Sequence, residues 1–419
     1  MVTLDDVAAR AGVSRMTASN AIRGKSVVKA STARRVLEAA AELGYKPNLA
    51  ARQLSSGRTH IIGMSVADLD LPFPAALAAS LSDEAFRRGY QLITQQTRMS
   101  SDYEQAMLNS ASTRICDGTI VCWPSSDVGG TDALVGFAAT HPVVVLDGHG
   151  LEGRVDTVFT PNREGARAAV SHLIAQGARR ILVLGAPYRS PQELERLALL
   201  LKGDGSLVES DAHAGAEAGE DVRAQAEARP GNGVLRLLGA WEAIRDARAA
   251  GVDVAYGPGN VCPAGWDFHG GYEAMSRILA ASGRSPDTPD TKAAGSGSAG
   301  SSGSPDPSFD AVFALADAMA IGALKALLAA GVRVPEKVMV IGFDGVDGGG
   351  YTDPGLSSVA IDTKEIARVG LDLLIARIEA GLSTGERTHA SPRSATTPAG
   401  APRTHVLSFR LAHRGSAER

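Results

Sequence analysis

Hydrophobic side chains near the start of the chain recur at the spacing of an α-helix. The inward-facing positions of this first predicted helix are Leu4, Val7, Ala8 and Ala11. Thr3 and Asp6 have the spacing of a capping box at its start, and Gly12 ends it. Ser14 is the expected cap of a second short helix, which runs to about residue 22.

A third predicted helix completes a small bundle. Ser31 is its expected cap and Gly44 its expected stop, with apolar positions between them at helical spacing. Two short helices that are joined by a glycine-containing turn and braced by a third describe a helix-turn-helix. On this pattern alone, any small three-helix bundle is the alternative.

From residue 61 the pattern changes to buried strands that alternate with helices. The first series of predicted elements covers residues 61–66, 75–88, 90–94, 101–112, 119–122, 132–139 and 143–146. The second series starts near Val158 and covers residues 163–176, 180–184, 234–250, 268–281, 311–315, 319–330, 337–342, 364–380 and 405–409. Such βαβ series predict parallel sheets with helices on both faces. Two series predict an α/β body of two lobes, with a ligand cleft at the carboxyl ends of the strands.

Two stretches interrupt the second series. Residues 190–202 have leucines at helical spacing and predict one extra helix. Residues 203–233 are rich in Ala, Glu and Gly, and residues 283–308 contain GSGSAGSSGS, so both are expected to be flexible insertions. The expected organisation is a helix-turn-helix domain over residues 1–46, a linker over 47–59 and a two-lobed body over 60–416.

The charge distribution separates the head from the body. The chain has 419 residues, of which 44% are hydrophobic, enough for two or three cores. Residues 1–60 contain ten Lys or Arg and four Asp or Glu, a charge of +6, so the total of -4 leaves -10 for the remainder. A basic head on an acidic body favours a phosphate-binding module, although an uneven solvated surface is the alternative.

Other compositional features exclude several classes of protein. The three cysteines form no CxxC pair, which indicates that they are reduced residues of a cytoplasmic protein. No secretory signal and no membrane-spanning stretch is visible, so no membrane partner is expected. The nine histidines lack metal-ligand spacing, no Walker motif occurs, and no GxGxxG joins a predicted strand to a predicted helix as in nucleotide-binding folds, so we expect no metal and no cofactor.

The first sixty residues resemble a known family. TLDDVAARAGVSRMTASNAIRG, VLEAAAELGYKPNLAARQL and the following IIG are similar, in order and spacing, to the DNA-binding head of the LacI family of bacterial regulators. The resemblance implies that the second helix enters the major groove with its N-terminal end first. It places Arg15, Met16 and Asn20 at base edges: Arg15 would pair with guanine, Asn20 with adenine, and Met16 would offer only an apolar contact.

The resemblance also implies contacts that position the protein without reading bases. Ser14, Thr17 and Ser19 are the expected phosphate contacts. Asn48 is the expected cap of a short hinge helix over residues 48–55 that folds only on the operator. In the family, a leucine at the position of Leu54 wedges into the minor groove and kinks the DNA. A flexible linker whose leucine packs on the core is the alternative.

The body resembles the two-lobed, periplasmic-binding-protein-like (type I) effector domain of the same family. NREGARAAVSHLIAQGARRI, LADAMAIGALKALLAAGVRVPEKVMVIGFD and the terminal HRGS carry this likeness. The positions that it assigns to effector binding are Phe73, Asp147, Arg236, Trp266, Asp317 and Asp344. Carboxylates accept hydrogen bonds from sugar hydroxyls, and an aromatic ring stacks on a sugar face. A structural turn residue at Asp344 and a core residue at Trp266 are the alternatives.

The pocket departs from the family pattern at four positions. Leu71 replaces an Asn, Pro74 a Phe, Ala316 an Asn beside Asp317, and Pro161 the Asp of a usual DN pair. The expected effector is therefore a sugar or another polar metabolite, including a nucleoside-type molecule.

The function that we expect is a repressor that binds a pseudo-palindromic double-stranded operator as a homodimer under effector control. The alternatives are a sugar-processing enzyme, or a solute-binding protein, with a fused DNA-binding head. The sequence leaves open whether the effector releases or strengthens DNA binding.

Overall fold

The structure is a computed structural model that describes residues 2–22, 27–45, 58–124, 128–201, 231–282, 308–383 and 400–419. The chain divides into two compact units, Met1–His60 and Ile61–Arg419.

The first unit is built from three short helices around a small core. They are α1 (Leu4–Ala11), α2 (Arg15–Ile22) and α3 (Ala30–Glu42). Val7, Ala18 and Val36, one residue from each helix, are fully buried. The capping box forms as predicted: the Asp6 amide donates to the Thr3 hydroxyl and the Thr3 amide to the Asp6 carboxylate, at 3.3 and 2.8 Å.

The turns between these helices follow the sequence with one exception. Gly12 adopts the left-handed conformation (φ 63°) that ends α1. The Ser14 hydroxyl accepts the Thr17 amide at 3.1 Å and so caps α2. The predicted cap Ser31 is wrong, because α3 begins at Ala30 after Lys29, whose backbone is extended and whose side chain makes no capping bond.

The first lobe of the second unit begins with five strands and the helices between them. In chain order they are β1 (Ile61–Val66), α4 (Pro72–Arg87), β2 (Gln91–Gln96), α5 (Ser101–Leu108), α6 (Ala111–Ile115), β3 (Gly118–Cys122), α7 (Val128–Ala138), β4 (Val143–Leu146) and β5 (Asp156–Phe159). The single helix predicted over residues 101–112 is broken in two, because the Ser110 hydroxyl caps α6 by accepting the Thr113 amide.

The second lobe repeats this architecture. Its elements are α8 (Asn162–Ala175), β6 (Ile181–Leu184), α9 (Pro191–Leu200), α10 (Asn232–Ala249), β7 (Val261–Cys262), α11 (Phe268–Ala281), β8 (Ala311–Ala314), α12 (Asp317–Ala329), β9 (Met339–Asp344) and β10 (Ser357–Ala360). The extra helix expected over residues 190–202 is present as α9. The insertion expected over residues 203–233 is too long at its end, because α10 already begins at Asn232.

The chain then returns to the first lobe with α13 (Thr363–Ser383) and β11 (Thr404–Val406), and ends in the second with β12 (Arg410–Ala412). One sheet has the order β11-β5-β4-β3-β1-β2 and is parallel throughout. The other has the order β12-β10-β9-β8-β6-β7 and is parallel except for β12, which pairs antiparallel with β10.

Two assignments from the sequence need correction. The strand near Val158 belongs to the first sheet. The strand predicted over residues 405–409 ends at Val406 in the first sheet, and β12, which was not predicted, follows from Arg410 in the second. The chain therefore crosses between lobes three times, after β5, after β10 and after β11. Strand β7 is not predicted because its two residues are too few to show a period, and β10 (SSVA) is not predicted because two of its four residues are polar.

The described part of the body is held by two clusters of buried hydrophobic side chains and by close helix packing. Phe159, Phe313 and Phe343 are among the largest fully buried side chains. Gly239 of α10 lies so close to α8 that a Cβ there would be 2.0 Å from the Arg163 carbonyl oxygen. None of the described helices is long and apolar enough to cross a membrane.

Candidate functional site

Helix α2 presents an outward face on the first unit. Arg15 and Met16 are exposed, and Asn20, one turn after Met16, is half-buried. Ala18 and Ala21 turn inward and anchor the helix to its neighbours. The outward face carries no acidic residue, and the helix N-terminus adds a partial positive charge, so the surface suits a polyanion.

Contacts within the head involve several of the residues on this face. The Ser14 and Thr17 hydroxyls lie 2.9 Å apart in the cap of α2, and Ser19 is half-buried. Arg15 lies 3.5 Å from the Asp5 carboxylate, with both side chains largely exposed. Such an exposed pair is worth little and can exchange for a base or a phosphate.

The predicted hinge contacts Asn48 and Leu54 lie outside the described residues. The wedge and its alternative, a packed linker, both stay predictions.

In the body, residues with left-handed backbone stand at the carboxyl ends of four strands. Trp123 follows β3, Asp147 follows β4, Gly185 follows β6 and Asp344 ends β9, with φ of 50°, 55°, 120° and 117°. A non-glycine residue held at positive φ costs on the order of 1–3 kcal/mol, and such strain is concentrated at functional sites. The ends of these strands thus place the carboxylates of Asp147 and Asp344 and the indole of Trp123 at the region between the lobes.

Asp147 is the centre of a polar network on the first lobe. One of its oxygens accepts the Thr160 amide at 2.7 Å, and the other accepts the Trp123 indole N–H at 3.1 Å. The Thr160 hydroxyl adds bonds of 3.0 and 2.8 Å. Because these donors hold the carboxylate in place, it is pre-organised to receive further donors.

Arg236 is the buried cation of the second lobe. Its Nε donates to the Asn162 side chain at 2.7 Å, and Nη1 lies 3.3 Å from the Asp344 carboxylate and also donates to the Leu315 carbonyl oxygen. The guanidinium carbon stands 3.7 Å from the centre of the Phe343 ring. Burial lowers the pKa of Arg236 and raises the pKa of Asp344; the attraction between the two charges opposes both shifts.

Asn232 joins the two lobes. Its Nδ2 donates to Asp147 at 3.1 Å, and its Oδ1 lies 3.1 Å from Nδ2 of Asn162 and 3.3 Å from Nε2 of His149. Asp147 and His149 belong to the first lobe, whereas Asn162 and Asn232 begin helices of the second. A continuous path of hydrogen bonds therefore runs from Trp123 to Arg236 across the cleft.

Asp317, a predicted effector-binding residue, is surrounded by hydrogen-bond donors of the protein itself. One of its oxygens accepts the amides of Gly345 and Val346, each at 2.8 Å, and the other accepts the Ser358 hydroxyl at 2.6 Å. The side chain is fully buried. In the structure, Asp317 thus holds the loop that follows Asp344, and its predicted contact with the effector stays a prediction.

The two predicted aromatic residues lie on opposite lobes. Phe73, in α4, is buried with its ring centre 6.1 Å from that of Trp123. Trp266 donates its indole N–H to the Gly185 carbonyl oxygen at 3.0 Å. The centre of its ring lies 5.4 Å from the guanidinium carbon of Arg236. Both rings border the polar network, and Trp266 joins it through Arg236.

The sequence-based candidates do not include five members of this network: Trp123, His149, Thr160, Asn162 and Asn232. The rule that ligands bind at the carboxyl ends of parallel strands indicates Trp123 and Thr160, which directly follow β3 and β5. Asn162 stands beside Pro161, where we noted only the departure. Asn232 lies within the insertion expected over residues 203–233 and is therefore not among the predicted site residues.

Comparison with protein families assigns the head and most of the body, up to residue 404. The model described as bacterial regulatory proteins, lacI family, matches residues 3–48. A model for periplasmic binding proteins and the sugar-binding domain of LacI family matches residues 59–197, and one for a periplasmic binding protein-like domain matches residues 170–404. The predicted fold class is thereby confirmed.

Individual proteins give the same result. The HTH-type transcriptional repressor PurR of Haemophilus influenzae (strain ATCC 51907 / DSM 11121 / KW20 / Rd) is 26% identical over 378 residues, 90% of this chain and 91% of its own. The cellobiose complex of the transcriptional regulator CelR is 26% identical, with a TM-score of 0.57 over 99% of this chain and 100% of that one. The lac repressor dimer bound to operator and the anti-inducer ONPF has a TM-score of 0.69 at 21% identity, over 100% and 99% of the two chains, and shows the fold alone.

Proposed function

The chain belongs to the LacI family of bacterial regulatory proteins and is a DNA-binding transcriptional regulator, and we propose that it is a homodimeric repressor controlled by a sugar or similar polar metabolite. The family prediction is confirmed. Because the relatives are transcriptional repressors, the chain is not the sugar-processing enzyme that we kept as an alternative. We place its action in the cytoplasm, where a bacterial operator is found.

The observation that carries the effector part of this proposal is the hydrogen-bond path from Asp147 through Asn232 and Asn162 to Arg236. Together with Asp344, this path supplies two carboxylates at the carboxyl ends of parallel strands and two amides and a guanidinium from helices α8 and α10. Vicinal hydroxyls of a sugar can donate to the carboxylates and accept from the amides and the guanidinium. We infer that the effector replaces Asn232 as the hydrogen-bond partner of Asp147. Loss of this bond between the lobes then changes the relative stability of two arrangements of the lobes.

The relatives support a sugar-type ligand, since CelR is described in complex with cellobiose. A thermal-shift panel of ribose, cellobiose, other mono- and disaccharides and nucleosides tests this inference. A ligand that binds the folded state only should raise the unfolding temperature in a concentration-dependent way. A panel in which only nucleosides act would contradict the sugar class.

The operator is tested by selecting bound duplexes from random DNA at about physiological salt, where nonspecific phosphate attraction is weakened. We expect a pseudo-palindrome with a conserved central step, at which the paired Leu54 side chains are proposed to insert. A single half-site would contradict the dimer. Failure to enrich any sequence, both with and without the panel ligands, would contradict the proposal that the outward face of α2 reads DNA bases.

We expect Arg15→Ala to weaken operator binding by about 1–3 kcal/mol per half-site, roughly five- to 150-fold, because each subunit loses a bidentate contact to guanine. Discrimination at one base pair per half-site should relax at the same time. The measurement is fluorescence anisotropy with the selected duplex at fixed salt. Arg87→Ala, an equally large charge change on the body, is the matched control and should leave affinity unchanged; equal losses in both variants would show that Arg15 contributes only charge.

A further inference from the structure

A cluster of metal-ligating side chains lies on the second lobe outside the cleft. His172 stands in the last turn of α8, while His413 and Glu418 flank the short turn Gly415–Ala417 near the end of the chain. Ten residues of helix separate His172 from Asn162 of the cleft network, about 15 Å along the axis. We call these three residues the tail cluster.

The ligand atoms of the tail cluster are already close to the spacing of a metal site. The Glu418 carboxylate lies 3.3 Å from Nε2 of His172 and 2.9 Å from Nδ1 of His413, and all three ligand atoms lie within 4.8 Å of one another. In a tetrahedral zinc site with bonds of about 2.0–2.2 Å, neighbouring ligand atoms are roughly 3.3 Å apart. The imidazole rings meet at 62° with centres 4.7 Å apart, so both can direct a nitrogen toward one point.

The backbone that carries the cluster is firmly anchored. The buried Ser416 donates its hydroxyl to the Val340 carbonyl oxygen at 2.6 Å and accepts the Ser357 amide at 2.8 Å. Its own amide donates to the Gly355 carbonyl oxygen at 2.9 Å. The turn between His413 and Glu418 is thus fixed to the second sheet, so little ordering remains to be done when a ligand binds.

Neighbouring cations leave the site open. The Arg419 guanidinium turns away to the carbonyl oxygens of Pro335, Asp310 and Lys337, and the Arg414 guanidinium donates to the Leu356 carbonyl oxygen. The Ala417 carbonyl oxygen, 3.2 Å from Nε2 of His172, is a further oxygen beside the cluster.

We propose that His172, His413 and Glu418 bind one divalent transition-metal ion of the zinc class. Two imidazoles and a carboxylate are ligands that zinc prefers, and three protein ligands leave a fourth position for water. A neutral imidazole has one N–H and one lone pair, so coordination through Nε2 of His172 places its proton on Nδ1 and replaces the contact with Ala417. The ion joins α8 to the C-terminal tail and stabilises the second lobe.

Cobalt(II) is the probe, because it replaces zinc and gives visible absorption bands whose intensity reports tetrahedral coordination. The full chain, without a polyhistidine tag, is titrated with Co²⁺ and then with Zn²⁺, and its unfolding temperature is followed with each metal. The variants are His413→Ala and Glu418→Gln, whose side chains are 53% and 42% exposed to solvent and whose replacement should leave folding intact. His269→Ala is the matched control, because His269 and Glu273 form an exposed histidine–carboxylate pair on α11.

We expect one Co²⁺ per chain with tetrahedral bands, displacement by Zn²⁺ and a metal-dependent rise in unfolding temperature. Both tail-cluster variants should bind the metal at least about tenfold more weakly, whereas His269→Ala should bind as the parent does. Equal affinity of the parent and His413→Ala, or a parent that gives no bands with Co²⁺, would overturn the proposal. Loss of binding in His269→Ala alone would assign the metal to α11 instead.

Discussion

Replacing Arg236 by Met should lower the affinity for the best ligand of the thermal-shift panel by about 2–5 kcal/mol, at least thirtyfold. Methionine keeps much of the side-chain volume but removes every donor, so the Asn162 and Asp344 side chains lose their shared partner. Truncation of one member of a buried, hydrogen-bonded charge pair typically costs this much in binding. Ligand affinity is measured calorimetrically, and the effector response by anisotropy with the selected operator.

The Asp344 carboxylate offers an independent test of the same pocket. Asp344→Ala should abolish the effector response while leaving operator binding without ligand intact, because the head and the cleft are built from separate residues. Asp347→Asn is the matched control, since Asp347 lies three residues further on and is exposed. A normal effector response in Asp344→Ala, or loss of ligand binding in Asp347→Asn, would contradict the assignment of the effector site to the cleft network.

Replacing Arg377 by Met should lower the free energy of unfolding of the body by about 3–5 kcal/mol, the usual cost of leaving one member of a buried ion pair alone. Arg377 of α13 donates from Nε and Nη2 to the two oxygens of Asp156 at 2.7 and 2.9 Å, and Asp156 lies at the start of β5 and is fully buried. The same guanidinium donates to the Gly400 carbonyl oxygen at 2.8 Å. The pair therefore fastens α13 and the returning chain to the first sheet.

Urea unfolding followed by circular dichroism measures this effect. Arg368→Met is the control on the same helix, because Arg368 and Asp372 form an exposed pair at 3.5 Å and such pairs contribute little. If Arg377→Met unfolded at the same urea concentration as Arg368→Met, the Asp156 pair would not be holding the first lobe together. Operator binding by the folded fraction separates this global loss from any change in the head.

The head could be read from the sequence because its determinants are local. The capping box of Thr3 and Asp6, the left-handed Gly12 and the cap at Ser14 each act over three or four residues, and all three are present in the structure. The one error, at Ser31, is a shift of the helix start by two residues. It arose because the backbone at Lys29 turns into the helix without a capping side chain.

The two lobes could also be predicted, because buried strands alternating with helices leave few arrangements other than parallel sheets. The assignment of strands to sheets could not. Residues 156–159 and 404–406 pair in one sheet although 245 or more residues separate them, and no periodicity reports such pairing.

The sequence by itself therefore determined the family, the helix-turn-helix, the alternating body and the candidates Asp147, Arg236 and Asp344, since these depend on residue type, short-range spacing and family resemblance. Only the tertiary structure decided which groups meet. It joined Asp147 to Asn232 and Arg236 to Asn162, turned Asp317 to the amides of Gly345 and Val346, and brought the tail cluster together from the two ends of the second lobe. The physical reason is that hydrogen bonds and coordination act over about 3 Å of space, regardless of separation along the chain.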